Sequence, residues 1–108
     1  MDILNHIKQL VLRRQVIITV KAELEMLVDE LTEDEVFESI INATRIEKTI
    51  RSTSPQRGKA REKLYVIKGR TYANIEVYTK GKLIKDHELE TFYVMISSKR
   101  SFYRAAIT

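Results

Sequence analysis

At Arg45 the apolar residues of this chain change their spacing, and that change restricts the fold more than any other feature. Before it they recur three and four residues apart, the period of helices that each bury one stripe. After it β-branched and aromatic residues alternate with polar ones, the period of half-buried strands. Helices followed by strands predict an α+β fold. With 108 residues, 44% of them hydrophobic, a single domain over residues 1–108 with a modest core is expected.

Ile3, Leu4, Ile7, Leu10 and Val11 predict a first helix over residues 2–13, and Leu24, Leu27, Val28 and Leu31 repeat the stripe in a second. Between them Val16, Ile17, Ile18 and Val20 read either as a brief strand or as the lead into that second helix. Thr32 with Glu35 forms a capping box, with Glu33 and Asp34 in the first turn. A third helix therefore begins there and buries Val36, Phe37, Ile40 and Ile41. Strands are expected near 45–51, 63–69, 74–81 and 90–98. They are separated by a basic loop, "STSPQRGKARE" (52–62), a tight turn within "KGRTYAN" (68–74) and a longer connection, "KGKLIKDHELE" (80–90). The final residues, from about 101, are expected to fray.

Charge divides the chain at nearly the same point. Residues 1–50 carry six Lys or Arg against ten Asp or Glu, a net −4; residues 51–108 carry thirteen against five, a net +8. An acidic helical half joined to a basic β half suggests two surfaces with different partners, although two solvated faces would give the same count. The chain has no cysteine, which excludes disulfides, zinc ribbons and thiol nucleophiles and makes a reducing cytoplasm the natural location. His6 and His87 stand alone without ligand spacing, so no metal site is expected. No targeting signal is evident and no apolar run is long enough to span a bilayer, so no membrane partner is expected.

Alternation sorts the strand side chains by face. In "ANIEVYTK" Ile75, Val77 and Thr79 point one way, and Asn74, Glu76, Tyr78 and Lys80 the other. In "FYVMISSK" Phe92, Val94, Ile96 and Ser98 share one face, and Tyr93, Met95, Ser97 and Lys99 the opposite one. With helices over the apolar side, Tyr78, Lys80 and Lys99 converge on the open side of the sheet. Glu76 beside Tyr78 reads as half of a cross-strand ion pair or as a group that tunes a base.

The succession of a first helix, "QVIITVKAELEML", "VFESIINAT", "IEKTIRS", "VYTK" and "MISSK" resembles the MqsR-type mRNA interferase toxins of the RelE-like superfamily, over about residues 5–100. The resemblance implies helices packed on one face of a small antiparallel sheet. It also implies a metal-independent endoribonuclease, without cofactor, that cleaves single-stranded mRNA and is silenced by a cognate antitoxin protein. Lys99 in "ISSK", Tyr78 in "VYTK" and Lys48 in "IEKT" match the family's functional lysine, tyrosine and second lysine. The family's active-site glutamine has no counterpart; counting back from Tyr78 reaches Tyr65, with Lys63 two residues before it on the same face.

These residue types suit the chemistry. Cleaving RNA without metal requires activation of a ribose 2′-hydroxyl, stabilisation of phosphorane-like charge and protonation of a leaving oxygen, tasks that Tyr, Lys and Arg can share. Under the resemblance Tyr78 transfers protons, Lys99 and Lys48 stabilise the charge, and Arg57, Lys59, Arg61, Lys63, Lys80 and Arg100 hold the RNA backbone. Tyr65 or Tyr93 would stack on a splayed base. Two other classes fit the same composition: a nucleic-acid-binding module without catalysis, and a protein-interaction module using the acidic helices or a strand edge.

Overall fold

The computed structural model describes residues 2–51 and 62–101. Its elements run α1 (Ile3–Leu12), β1 (Val16–Ile18), α2 (Val20–Val28), α3 (Glu33–Asn42), β2 (Lys48–Arg51), β3 (Lys63–Arg70), β4 (Glu76–Lys85) and β5 (Thr91–Arg100). The five strands form one sheet in the order β1-β5-β4-β3-β2. From β2 to β5 it is antiparallel, and β1 adds a short parallel edge on β5. The expected α+β architecture is present. Ile7, Leu10 and Val11 of α1 and Val36, Phe37 and Ile40 of α3 are buried in one core with Ile67, Val77, Tyr93 and Met95 of the sheet.

Local chemistry explains the helix limits. Asp2 caps α1 by accepting from the Asn5 N–H at 2.8 Å, and Thr19 caps α2 in the same way through Ala22. The predicted capping box of α3 is complete, with Glu35 N–H donating to Thr32 Oγ1 at 3.1 Å and Thr32 N–H to Glu35 Oε1 at 2.9 Å. Both α1 and α2 end in a paired carbonyl motif: Gln15 N–H reaches Leu10 O and Leu31 N–H reaches Met26 O, which forces left-handed φ values of 62° at Arg14 and 57° at Glu30. A side chain is disfavoured there, and Glu30 is exposed. Glu30→Gly is therefore expected to raise stability by up to about 1 kcal/mol, read as a higher denaturant midpoint at unchanged slope.

The ambiguous stretch after α1 is both things at once. Val16–Ile18 pairs with Tyr93–Met95, and Thr19 then starts α2. The second helix departs from its expected stripe: Ala22 and Met26 are its buried residues, while Leu24, Leu27 and Val28 are exposed. Helix α2 runs beside the edge of β5 beyond β1, where free backbone N–H groups need acceptors. Glu25 Oε1 accepts from Ser98 N–H at 2.9 Å and Asp29 Oδ2 from Arg100 N–H at 2.7 Å. These carboxylates, four residues apart, turn the polar side of α2 inward.

The predicted connection over 80–90 is also corrected. β4 continues to Lys85, and only Asp86–Glu90 forms the turn, with Asp86 Oδ1 accepting from Glu88 and Glu90 N–H groups. Gly81 lies within the strand, and the Tyr93 ring covers the place where a Cβ would stand. Here β4 and β5 slip register between Lys80 and Gly81, so Ser97 pairs with Lys80 and Met95 with Gly81. Ile96 is the extra residue of a β-bulge. The face assignment of β5 changes before the bulge: Tyr93 and Met95 face the helices, opposite to the expected Phe92, Val94 and Ile96, whereas beyond it Ser98 faces the helices and Ser97 and Lys99 face away, as expected.

Candidate functional site

Directly paired residues of antiparallel strands share a face, so the register locates every candidate. On the face away from the helices, Lys68 of β3, Tyr78 of β4 and Lys99 of β5 stand in one row across three strands. Lys48, Val66, Lys80 and Ser97 make the next row across four. The Lys99 ammonium lies 5.5 Å from the centre of the Tyr78 ring, a cation–π contact. Two strand spacings place the Lys68 and Lys99 backbones about 10 Å apart with Tyr78 between them. Among the described residues none of Lys48, Lys68, Lys80 and Lys99 forms an ion pair. The face sets a phenol between lysines that have no carboxylate partner among the described residues.

Tyr78, Lys80 and Lys99 thus converge as expected, and Lys48 joins them one row away. Tyr65 and Lys63 do not. Tyr65 pairs with Gly81 on the helix-facing side and packs in the core, and Lys63 shares its parity. Tyr93 is fully buried, so neither tyrosine can stack on a base. Burial also raises the Tyr93 phenol well above its ordinary value, with only a partial offset from the Thr79 hydroxyl. Arg100 pairs with Val77 on the inner side, and its Nε donates to Asp29 O at 3.1 Å, so it fastens β5 to α2. Arg57, Lys59 and Arg61 lie outside the described residues. Glu76 forms no ion pair among the described residues; it accepts from Ser101 Oγ at 2.9 Å, while the Arg70 guanidinium turns to Asn74.

Lys68 was not among the sequence candidates. Its signal lies in the turn Thr71–Asn74, where Asn74 N–H donates to Thr71 O: a hairpin folded there sets Lys68 opposite Tyr78.

No family model, curated protein or solved structure matches this chain. The site must therefore be judged on its own geometry. No three His, Asp or Glu side chains come together as a possible metal site among the described residues. No helix of the described residues is long and apolar enough to cross a membrane.

The two residues before Lys99 in β5 are fastened to α2 by Glu25, which accepts from Ser97 Oγ at 2.7 Å and Ser98 N–H at 2.9 Å, and also from Lys21 Nζ at 3.0 Å. Burial alone would raise the Glu25 pKa, but these hydrogen bonds outweigh it and hold the carboxyl below its ordinary 4.5. A depressed folded pKa gives stability that is complete above the unfolded value and lost as pH falls through the folded one. The native chain is expected to lose stability in that acid window, and Glu25→Gln to lose less over the same range. Denaturant midpoints measured from pH 6 downward check this.

Proposed function

We propose that the chain is a metal-independent endoribonuclease acting on single-stranded mRNA, the toxin of a toxin–antitoxin pair held silent by a cognate protein in the cytoplasm. The observation that carries this reading is the row Lys68, Tyr78 and Lys99, with an ammonium 5.5 Å from the phenol ring and a second lysine on its other side. A phosphodiester lying across that row meets cations on both flanks and a proton-transferring group at its centre. The ribose 2′-oxygen attacks phosphorus as its proton passes to water, and the bond from phosphorus to the 5′-oxygen breaks. That oxygen takes up a proton, leaving a 2′,3′-cyclic phosphate and a free 5′-hydroxyl. Tyr78 is the proton-transferring group, and Lys99, Lys68 and Lys48 offset the extra negative charge. Lys80, in the row of Lys48, holds the flanking backbone.

The test is incubation of the purified chain with a long single-stranded RNA in EDTA. Discrete cuts bearing 2′,3′-cyclic ends are expected. Salt-sensitive RNA binding without cuts would replace the enzyme by a binding module, and absence of RNA binding would overturn the nucleic-acid reading altogether.

A further inference from the structure

The open face of the sheet has a second end with a different character. Parity carries the outer side of β4 from Tyr78 and Lys80 on to Lys82 and Ile84, and the register sets Lys82 beside Val94 and Ile84 beside Phe92. Ile17 of β1 stands next to Val94 and is 44% exposed. Phe92, Ile84 and Val94 are half-buried, and they belong neither to the core under the helices nor to the apolar side chains packed against it. Charge divides the face in the same way. Lys82 is paired with Glu62 at 2.9 Å, so among the described residues the lysines of β4 without a carboxylate partner stop at Lys80. One end thus offers cations around a phenol, and the other, about 20 Å further along β4, offers an aromatic ring in apolar surroundings. A polymer that carries an anion and a flat apolar ring in every unit uses both ends at once.

We infer that Phe92 is a base-stacking platform. A single strand whose phosphate lies on the row of Lys68, Tyr78 and Lys99 lays a base, a few nucleotides away, on the Phe92 ring, with Ile84 and Val94 at the ring's sides. This deepens the proposed RNA reading and rests on it. Phe92 also takes the role expected of Tyr65 and Tyr93, which burial in the core rules out. Every base has a π-face, so the platform adds affinity and holds the strand along the sheet without reading its sequence.

The experiment uses the full chain and two single strands of about eight nucleotides. One is a 2′-O-methyl oligoadenylate; the other has the same phosphates but tetrahydrofuran spacers in place of its nucleosides. Neither carries a 2′-hydroxyl, so binding is read without cleavage. The native chain is expected to bind the adenylate at least about tenfold more tightly than the spacer strand. Phe92→Ala is expected to weaken adenylate binding about tenfold, to leave spacer binding native and to leave both salt slopes unchanged, because it removes a stacking surface and no phosphate contact. The chain has no tryptophan, so Phe92→Trp supplies a single reporter at the platform. That variant is expected to keep native affinity, with emission quenched by the adenylate and not by the spacer strand.

Equal binding of the two strands, undiminished adenylate affinity in Phe92→Ala, or unquenched emission from Phe92→Trp with adenylate bound would overturn the platform and leave the lysine contacts standing. Self-association of the native chain that Phe92→Ala abolishes would overturn it too, by assigning the apolar end to a protein contact. Failure to bind either strand would remove the RNA reading and the platform together. Quenched, Phe92-dependent binding by a chain that leaves unmodified RNA uncut would support the platform and refute the proposed catalysis alone.

Discussion

Tyr78→Phe is expected to slow RNA cleavage by about 10²–10⁴-fold, the range ascribed to one positioned proton-transfer group, while RNA binding stays close to native. The substitution removes one hydroxyl and leaves the ring, so the cation–π contact with Lys99 at 5.5 Å persists and the Lys99 side chain keeps its place. Lys99→Ala should behave differently. It removes one of the two charges flanking Tyr78, so cleavage falls by about 10²-fold or more. Binding weakens as well, and the slope of log affinity against log salt becomes shallower by about 0.7, as for one phosphate contact on a single strand. Lys68→Ala should also weaken binding, since Lys68 flanks Tyr78 on the opposite strand. Lys63→Ala is the internal control: it lies on the inner parity with Tyr65, so its affinity and cutting should stay native. Native cutting by Tyr78→Phe would remove Tyr78 from proton transfer, and a Lys63→Ala defect as large as that of Lys68→Ala would place the RNA elsewhere.

The site was legible in the sequence where the strand pattern ran unbroken. Alternation in β4 put Tyr78 and Lys80 opposite Val77 and Thr79, and the structure agrees, because β4 keeps one register with β3 from Glu76 to Gly81. In β5 the same rule grouped Lys99 with Tyr93 and Met95, which are fully buried. Had alternation continued, Lys99 would face the core. The bulge at Ile96 reverses the parity and returns Lys99 to the side of Tyr78. No single residue of "FYVMISSK" announces that reversal; it depends on Gly81 across the ladder, whose missing side chain admits the Tyr93 ring. Helix α2 escaped the pattern for another reason. A periodic apolar stripe predicts a buried face only when the fold makes no competing demand on the other side of the helix. Here the edge N–H groups of Ser98 and Arg100 demand Glu25 and Asp29, and the stripe is turned outward.

The largest expected change in stability comes from Gly69→Ala. Gly69 lies in β3 opposite Val77, on the side facing the helices, where α3 approaches the strand backbone directly. An alanine Cβ there would overlap the carbonyl oxygen and carbon of Ser39. Those are backbone atoms, and the Ser39 carbonyl cannot turn aside without distorting the helix around it. Relief therefore requires α3 to move as a body, and α3 carries Val36, Phe37 and Ile40 into the core. Overpacking of this kind costs about 1–3 kcal/mol, and a collision with backbone belongs at or above the top of that range. For a domain of this size each kcal/mol lowers Tm by about 4–8 °C. Adding Ala43→Gly gives a sharper test. The Ala43 Cβ is the next neighbour, at 3.3 Å from the added methyl, so its removal would relieve a side-chain crowding but not the overlap with Ser39. The Gly69→Ala/Ala43→Gly pair is therefore expected to melt no higher than Gly69→Ala alone, and recovery of the native Tm by the pair would locate the constraint in the Ala43 methyl instead of the helix backbone.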